Sequence, residues 1–321
     1  MKPTLLAAVL AFFLQSSDEV AWTSVGRVNG LTGTWAPHYT PVVLLGGSQI
    51  RVYSSSDRNG NVIGDLFLYE GTWSKVGAPS MVLSRAVVQA VDGIGDETLR
   101  TGGVARGVSG TYYSLQHPCI GTNQCRPAWA TSADGVTWTY YGHILIDGQP
   151  PNINSDSDAL VVREEKPAVL DPVTPANNRF LGWENEVYVE EDGQTVLKNF
   201  VLIYSSDGFD WRYARDVNGR VIDLWPRSQY PWWPIYQTAA RTPYGYHVAF
   251  AAPTYPATAI MHIFSCDGAT YRIVEEASEL FAPHGEAHHA PNFAYESVTG
   301  LLHALVGGQH WQTQAQALAC P

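Results

Sequence analysis

The stretch GWENEVY, residues 182–188, sets Glu184 and Glu186 beside Trp183 in an otherwise apolar run. A carboxyl held against an aromatic ring and away from water has its pKa raised. A carboxyl that keeps its proton near neutral pH suits a general acid. Such an acid needs a base or nucleophile, and EEKPAVLD (164–171) offers Glu164 and Glu165 just before Pro167. Two other stretches align with it on their prolines, HYTPVVLL (38–45) and HHAPNFAY (288–295). His38, Glu164 and His288 then stand three residues before the proline, with Tyr39, Glu165 and His289 two before it. Adjacent strand residues face opposite ways, so one layer faces inward, and the sequence leaves open which. HGEAHHAP (284–291) gathers three histidines around Glu286. That group offers a proton donor, or ligands for a cation such as calcium, but it has no H-E-x-x-H spacing and so defines no metal set.

Flat aromatic faces that could hold a sugar come from YPWWPIY (230–236), through Trp232, Trp233 and Tyr236. The same residues would serve as a packing plug. GDETLRTGG (95–103) supplies Glu97 or Arg100 at a comparable level, and Asp57, His117 and His310 fall at expected strand ends. Other chemistries lack their motifs: there is no G-x-S-x-G, no G-x-x-x-x-G-K and no strand–G-x-G-x-x-G–helix unit. A net charge of −11 without a basic cluster argues against nucleic acid.

The elements that must position these groups are repeated. SADGVTW, SSDGFDW and SCDGATY spell one pattern, S-x-D-G-x-x-aromatic, closing on Trp138, Trp211 and Tyr271. Degenerate copies end at Trp22 and Trp73, so five anchors recur at intervals of roughly 50 to 75 residues, as a repeated supersecondary unit requires. Turn chemistry accounts for Asp134, Asp207 and Asp267: the carboxylate caps its own turn and glycine takes the positive φ. The segments between are short β-branched and aromatic runs broken by Gly, Asn and Asp, with little helical periodicity. Each unit reads as inner strand, second strand, third strand, turn, outer strand. The expected fold is all-β, a five-bladed propeller with four-stranded antiparallel blades. The last unit lacks an outer strand, and AWTSVGRV near the N-terminus supplies one, so the ring closes by pairing the two ends.

Residues 1–17 begin with Lys2 and a run from Leu5 to Leu14, followed by small polar residues. This is the layout of a secretory signal peptide, too short for a membrane span. Residues 18–321 are expected to form one exported domain, secreted or periplasmic and monomeric, with no membrane partner. Four cysteines fit that compartment. They allow three pairings; the short loop between Cys119 and Cys125 favours a local bond there, with Cys266 and Cys320 as the other pair.

The turn motif in SADGVTW and SSDGFDW, and the inner strands TPVVLL and KPAVLD, resemble the five-bladed propeller glycosidases: glycoside hydrolase family 43, fructan-cleaving enzymes and anhydrogalactosidases. The resemblance spans nearly the whole mature chain and rests on scaffold motifs. It implies carboxylate-based hydrolysis of a polysaccharide or oligosaccharide in the central pocket. It also implies an Asp immediately before the first inner-strand proline, and this chain departs there, with Thr40 and its equivalents Lys166 and Ala290. Glu184 lies near the place of the family's acid, and relatives that use histidine keep His38 and His288 as candidates. The expected assignment is Glu184 as acid, Glu164 or Glu165 as base or nucleophile, and Trp183, Trp232, Trp233, Tyr236, Tyr39, Arg100 and Glu286 around the sugar. Two alternatives remain: a lectin-like propeller with shallow pockets between blades, and a polysaccharide lyase using Tyr39, a histidine and Arg100 or Arg85.

Overall fold

The computed structural model describes residues 20–31, 40–56, 63–120, 124–151, 156–163, 179–189, 196–225, 234–252, 259–266, 268, 270–275 and 291–318. They form five antiparallel sheets arranged as blades. Blade 1 runs outward through Val42–Gly46, Gln49–Ser56, Ile63–Thr72 and Lys75–Val76. Blade 2 comprises Val104–Arg106, Tyr112–Ile120, Ala128–Ser132 and Trp138–His143. Blade 3 comprises Asp156–Val162, Phe180–Val189, Val196–Ser205 and Asp210–Tyr213. Blade 4 comprises Ile235–Thr242, Gly245–Ala252, Ala259–Ser265 and Tyr271–Glu275. Blade 5 takes Asn292–Glu296, Leu301–Val306 and Gln309–Gln314 from one end of the chain and Thr23–Arg27 from the other. Each innermost strand neighbours the innermost strands of the next and the previous blade, which closes the ring.

The expected four-strand count holds for blades 4 and 5. The other three carry short additions: Ser80–Leu83 on blade 1, Glu97–Arg100 and Gln124–Cys125 on blade 2, and Leu145–Ile146 parallel to the outer strand of blade 3. A second difference is the helix Arg85–Asp92 between blades 1 and 2. Its RAVVQAVD sequence is rich in valine, which favours strands, while its amphipathic spacing and its bounds, Ser84 before it and the left-handed Gly93 after it, are the helix signals it does carry. Among the described residues, no helix is long and apolar enough to cross a membrane.

Both faces of each blade pack against neighbours. In blade 3, Phe180 joins Leu115 and Trp129 of blade 2, whereas Leu181 and Trp183 join Tyr246, Val248 and Phe250 of blade 4. A comparable cluster fills each of the five interfaces. Strands buried on both faces become nearly continuous apolar runs.

The S-x-D-G turns seal these interfaces. Asp134 Oδ1 accepts hydrogen bonds from the amides of Val136 (2.8 Å) and Thr137 (2.7 Å), and Ser132 Oγ accepts one from Gly135 (2.8 Å). Asp207 and Ser205 repeat the arrangement with Phe209, Asp210 and Gly208. These bonds hold the exposed Asp134 carboxyl down at about 2. Tyr53 of blade 1 donates its hydroxyl to Gly135 O (3.0 Å), and Gly208, at φ +89°, lies against the Trp129 ring, where a Cβ has no room. Cys119 and Cys125 are directly opposite in register and disulfide-bonded. Cys266 is also disulfide-bonded, and its expected partner, Cys320, lies outside the described residues.

Two histidine pairs are buried within the packing. His247 Nδ1 and His262 Nε2 are 3.2 Å apart, near the Phe293 ring of blade 5. His303 Nδ1 and His310 Nε2 are 2.9 Å apart, and Trp73 of blade 1 stacks on His310 at 4.0 Å. His310 therefore belongs to the third strand of blade 5, not to the end of its second strand as expected from the sequence. Burial pushes His310 down to about 4 and His247 down to about 3, from an ordinary 6.5.

Two outcomes are expected. Gly208→Ala should cost about 3 kcal/mol or more in chemical denaturation, by backbone strain plus the clash with Trp129. Gly219→Ala, at φ +78° in open space, should cost only about 1 kcal/mol. The histidines stay neutral in the fold, while the unfolded chain takes up protons below pH 6.5. Stability should therefore be full above that pH and fall toward pH 4, by about 1.4 kcal/mol per pH unit for each such histidine. His310→Gln should make that decline shallower, and an unchanged slope would remove His310 from the account.

Candidate functional site

The channel is walled by the five innermost strands, and at its mouth their side chains link the blades. Asn292 Nδ2 donates to Thr40 Oγ1 at 3.2 Å, joining blade 5 to the lead-in of blade 1. Thr238 Oγ1 of blade 4 accepts from the Phe293 amide at 2.9 Å. Thr40, where the resemblance implies an acid, is thus a buried hydroxyl engaged in holding neighbouring blades together.

The buried carboxylate lies between blades 2 and 3. Gly103 allows the blade 2 backbone to meet that of Ala159 and Leu160 in blade 3, and Gly182 abuts Leu115. Two residues further along each strand, on those same faces by alternation, come Glu184 and His117. Arg100 is paired directly with His117, which places it on the same side of its sheet. Glu184 is 0 % exposed and His117 is also buried. A carboxylate removed from water needs compensation from charge or hydrogen bonds, and a cation and an imidazole stand on the facing side.

The ladder breaks at Glu184. The inner strand of blade 3 pairs Asp156 with Asn185 and Ala159 with Trp183, so Ser157 and Asp158 together oppose Glu184. Such a bulge leaves a ladder position unpaired and turns side chains toward new directions. Blade 4 carries a similar shift between Ile235 and Thr238, around Tyr236 and Gln237. Asn185 is fully buried, and among the described residues neither its amide nitrogen nor its oxygen has a hydrogen-bond partner. An unmade bond of that kind costs about 1–3 kcal/mol, so this amide is a group with bonding capacity left over beside the bulge.

Sequence-predicted residues fare unequally. Glu184 and Arg100 come toward one interface, joined by His117. Trp183 is not on a pocket wall: it is buried in the blade 3–blade 4 core and donates its Nε1–H to Tyr271 Oη at 2.9 Å. Tyr236 lies on the inner strand of blade 4, with its side chain outside the described atoms, as is that of Glu186. His38, Tyr39, Asp57, Glu164, Glu165, Trp232, Trp233, Glu286 and His288 lie outside the described residues. Asn185 escaped notice because an amide carries no charge signal, and only its burial without partners singles it out.

Glu97 goes elsewhere than the channel. It meets Asp92, from the end of the helix, and His143, from the end of the outer strand of blade 2. His143 Nε2 is 3.3 Å from Glu97 Oε1 and 3.8 Å from Asp92 Oδ2, and Tyr140 Oη donates to Asp92 Oδ2 at 2.5 Å. Burial, reinforced by Asp92, pushes the Glu97 carboxyl up to about 8. Burial lowers His143, against the pull of Asp92. This group escaped notice because the helix that brings Asp92 did, although Ser84 and Gly93 mark its ends.

No sequence-family profile matches the chain, and no curated protein matches it by sequence. Solved structures do match it in fold. A glycosyl hydrolase from Bacteroides ovatus superposes with a TM-score of 0.58 at 13% identity, covering 94% of this chain and 91% of that one. A structure from family 130 of the mannoside phosphorylases, which contains glycoside hydrolases targeting β-1,2-mannosidic linkages, gives 0.58 at 12% identity, covering 88% and 86%. A thermostable family-43 glycoside hydrolase gives 0.55 at 9% identity, covering 89% and 90%. At these identities the likeness is one of architecture: the chain has the five-bladed propeller fold of the glycoside hydrolases of families 43 and 130.

Proposed function

We propose that the chain is an exported glycoside hydrolase that cleaves a polysaccharide or oligosaccharide at the mouth of the central channel. The observation that carries this reading is the fully buried Glu184, set opposite a β-bulge of the inner strand and, by alternation from Gly182, turned toward the blade 2 face that carries His117 and Arg100. A carboxyl at that place has the chemistry of a general acid. The bulge is the place where that carboxyl can turn from the blade interface toward the channel. Asn185 faces the blade 4 side of the same strand, and its amide, without a partner among the described residues, has the donor and acceptor that a sugar hydroxyl would need. Glu164 or Glu165 supplies the base or nucleophile. Their separation from Glu184 then sets the stereochemistry, at roughly 6.5–9.5 Å for inversion and about 5–5.5 Å for retention. Export is supported by the apolar run after Lys2 and by the Cys119–Cys125 disulfide.

The test is product analysis by mass spectrometry over a panel of polysaccharides and oligosaccharides. Hydrolysis gives fragments heavier by one water. Fragments lacking that water would indicate elimination, and a protein that binds the panel without cleaving it would be a lectin. With a substrate in hand, Glu184→Gln should keep the fold by circular dichroism and lose activity by about 100-fold or more. Full activity in that variant would overturn the assignment of Glu184.

A further inference from the structure

We propose that Asp92, Glu97 and His143 form a binding site for one divalent first-row transition ion, zinc or manganese, which fastens the helix Arg85–Asp92 to blade 2. The donor atoms of the three side chains lie within 4.8 Å of one another, a little wider than the span of at most about 4.4 Å between ligands bonded at about 2.0–2.2 Å, so an ion would draw them slightly together. The Asp92 and Glu97 side chains are 3 % and 2 % exposed, and that of His143 is 22 % exposed. The group is thus closed by protein on the carboxylate side and open to an entering ion on the imidazole side.

Glu97 Oε2 is the atom that points to a ligand. It is buried and, among the described residues, accepts no hydrogen bond, although it belongs to a carboxyl packed against a second carboxyl. Without an ion, a proton held between Glu97 and Asp92 relieves the repulsion of two adjacent carboxylates; a dication binding there would displace that proton, take over its role and also satisfy Oε2.

The backbone is shaped to bring the three groups together. The outer strand of blade 2 has a register shift at Tyr141, where Ala130 pairs with Tyr140 and Trp129 with Gly142. Without it, His143 would face away from Tyr140. With it, both fall on the face turned to the helix. Gly142, at φ +94°, lets the helix end approach: a Cβ there would stand 3.0 Å from Asp92 Oδ1. Gln89 Nε2 donates to the Glu97 carbonyl at 2.7 Å, which ties the helix to the Glu97 strand. The Tyr140 hydroxyl holds Asp92 Oδ2 in place, as the outer partners of metal-binding carboxylates do.

Two carboxylates with one imidazole suit zinc or manganese, whereas calcium takes six to eight oxygens. Leu99 packs into the blade 1–blade 2 core, and strand alternation sends Glu97 to that side and Arg100 to the other. The ion would therefore act on stability, apart from the chemistry proposed at Glu184.

The experiment uses the full mature chain, stripped with a chelator and titrated with zinc, manganese, calcium or magnesium. It is read by calorimetry and thermal melting, with no substrate present, so its result is independent of hydrolysis. Expected are about one equivalent of zinc or manganese bound and a Tm raised by about 5 °C at a hundredfold excess over Kd. His143→Ala and Glu97→Gln should each weaken binding by about tenfold or more. If Glu97→Gln fails to fold, His143→Ala decides alone. No uptake at millimolar zinc or manganese would overturn the proposal. So would a response to calcium only, or zinc binding undiminished in the variants, which would place the ion at other histidines.

Discussion

Every blade of this propeller is buried on both faces, and that constraint governs the rest of the molecule. A sheet with one wet face can alternate polar and apolar residues. Here Phe180, Leu181 and Trp183 are all buried, on opposite sides of one strand, because blade 2 lies on one side and blade 4 on the other. Apolar burial is worth roughly 25 cal/mol for each Å² removed from water, and it accrues in five interfaces at once. The pairing of Thr23–Arg27 with Gln309–Gln314 completes the fifth blade, whose two faces pack on blades 4 and 1, and so closes the sequence of interfaces.

The same constraint makes polar groups between blades conspicuous. The two histidine pairs meet it by bonding to each other in neutral form beside aromatic rings. The turn aspartates meet it by staying at the rim, where their oxygens accept bonds from backbone amides. Asn185 has no hydrogen-bond partner for its amide among the described residues, and it sits next to Glu184 where the inner ladder of blade 3 is broken. The carboxylates of Asp92 and Glu97 crowd together where blade 2 bulges toward its helix. Both irregular places are on blade edges near strand ends, where a bulge can be absorbed without disturbing the apolar interfaces.

Much of the architecture was legible because its signals are local. An S-x-D-G turn is specified by a serine, a carboxylate and a glycine within four residues, so SADGVTW and SSDGFDW announce their geometry without tertiary help. The strands between them read as strands, and the outer strand near Trp22 was recognisable as a fifth copy. The Cys119–Cys125 bond agrees with their short separation. The helix at Arg85–Asp92 escaped notice because its valines argue for a strand, although Ser84 and Gly93 bound it with ordinary helix signals.

The candidate sites divide along the same line. Residue order alone was enough for the fold class, the blade count and the presence of Glu184 in an apolar strand, because periodicity and turn chemistry act over a few residues. Three-dimensional packing was needed to establish that Trp183 is core, that Arg100 is paired with His117 on one face of blade 2, and that Glu97 meets Asp92 and His143. The reason is physical. Which face of a strand looks at which blade depends on register, and a single bulged residue, such as Tyr141 or the pair opposite Glu184, reverses the facing of every later residue in its strand.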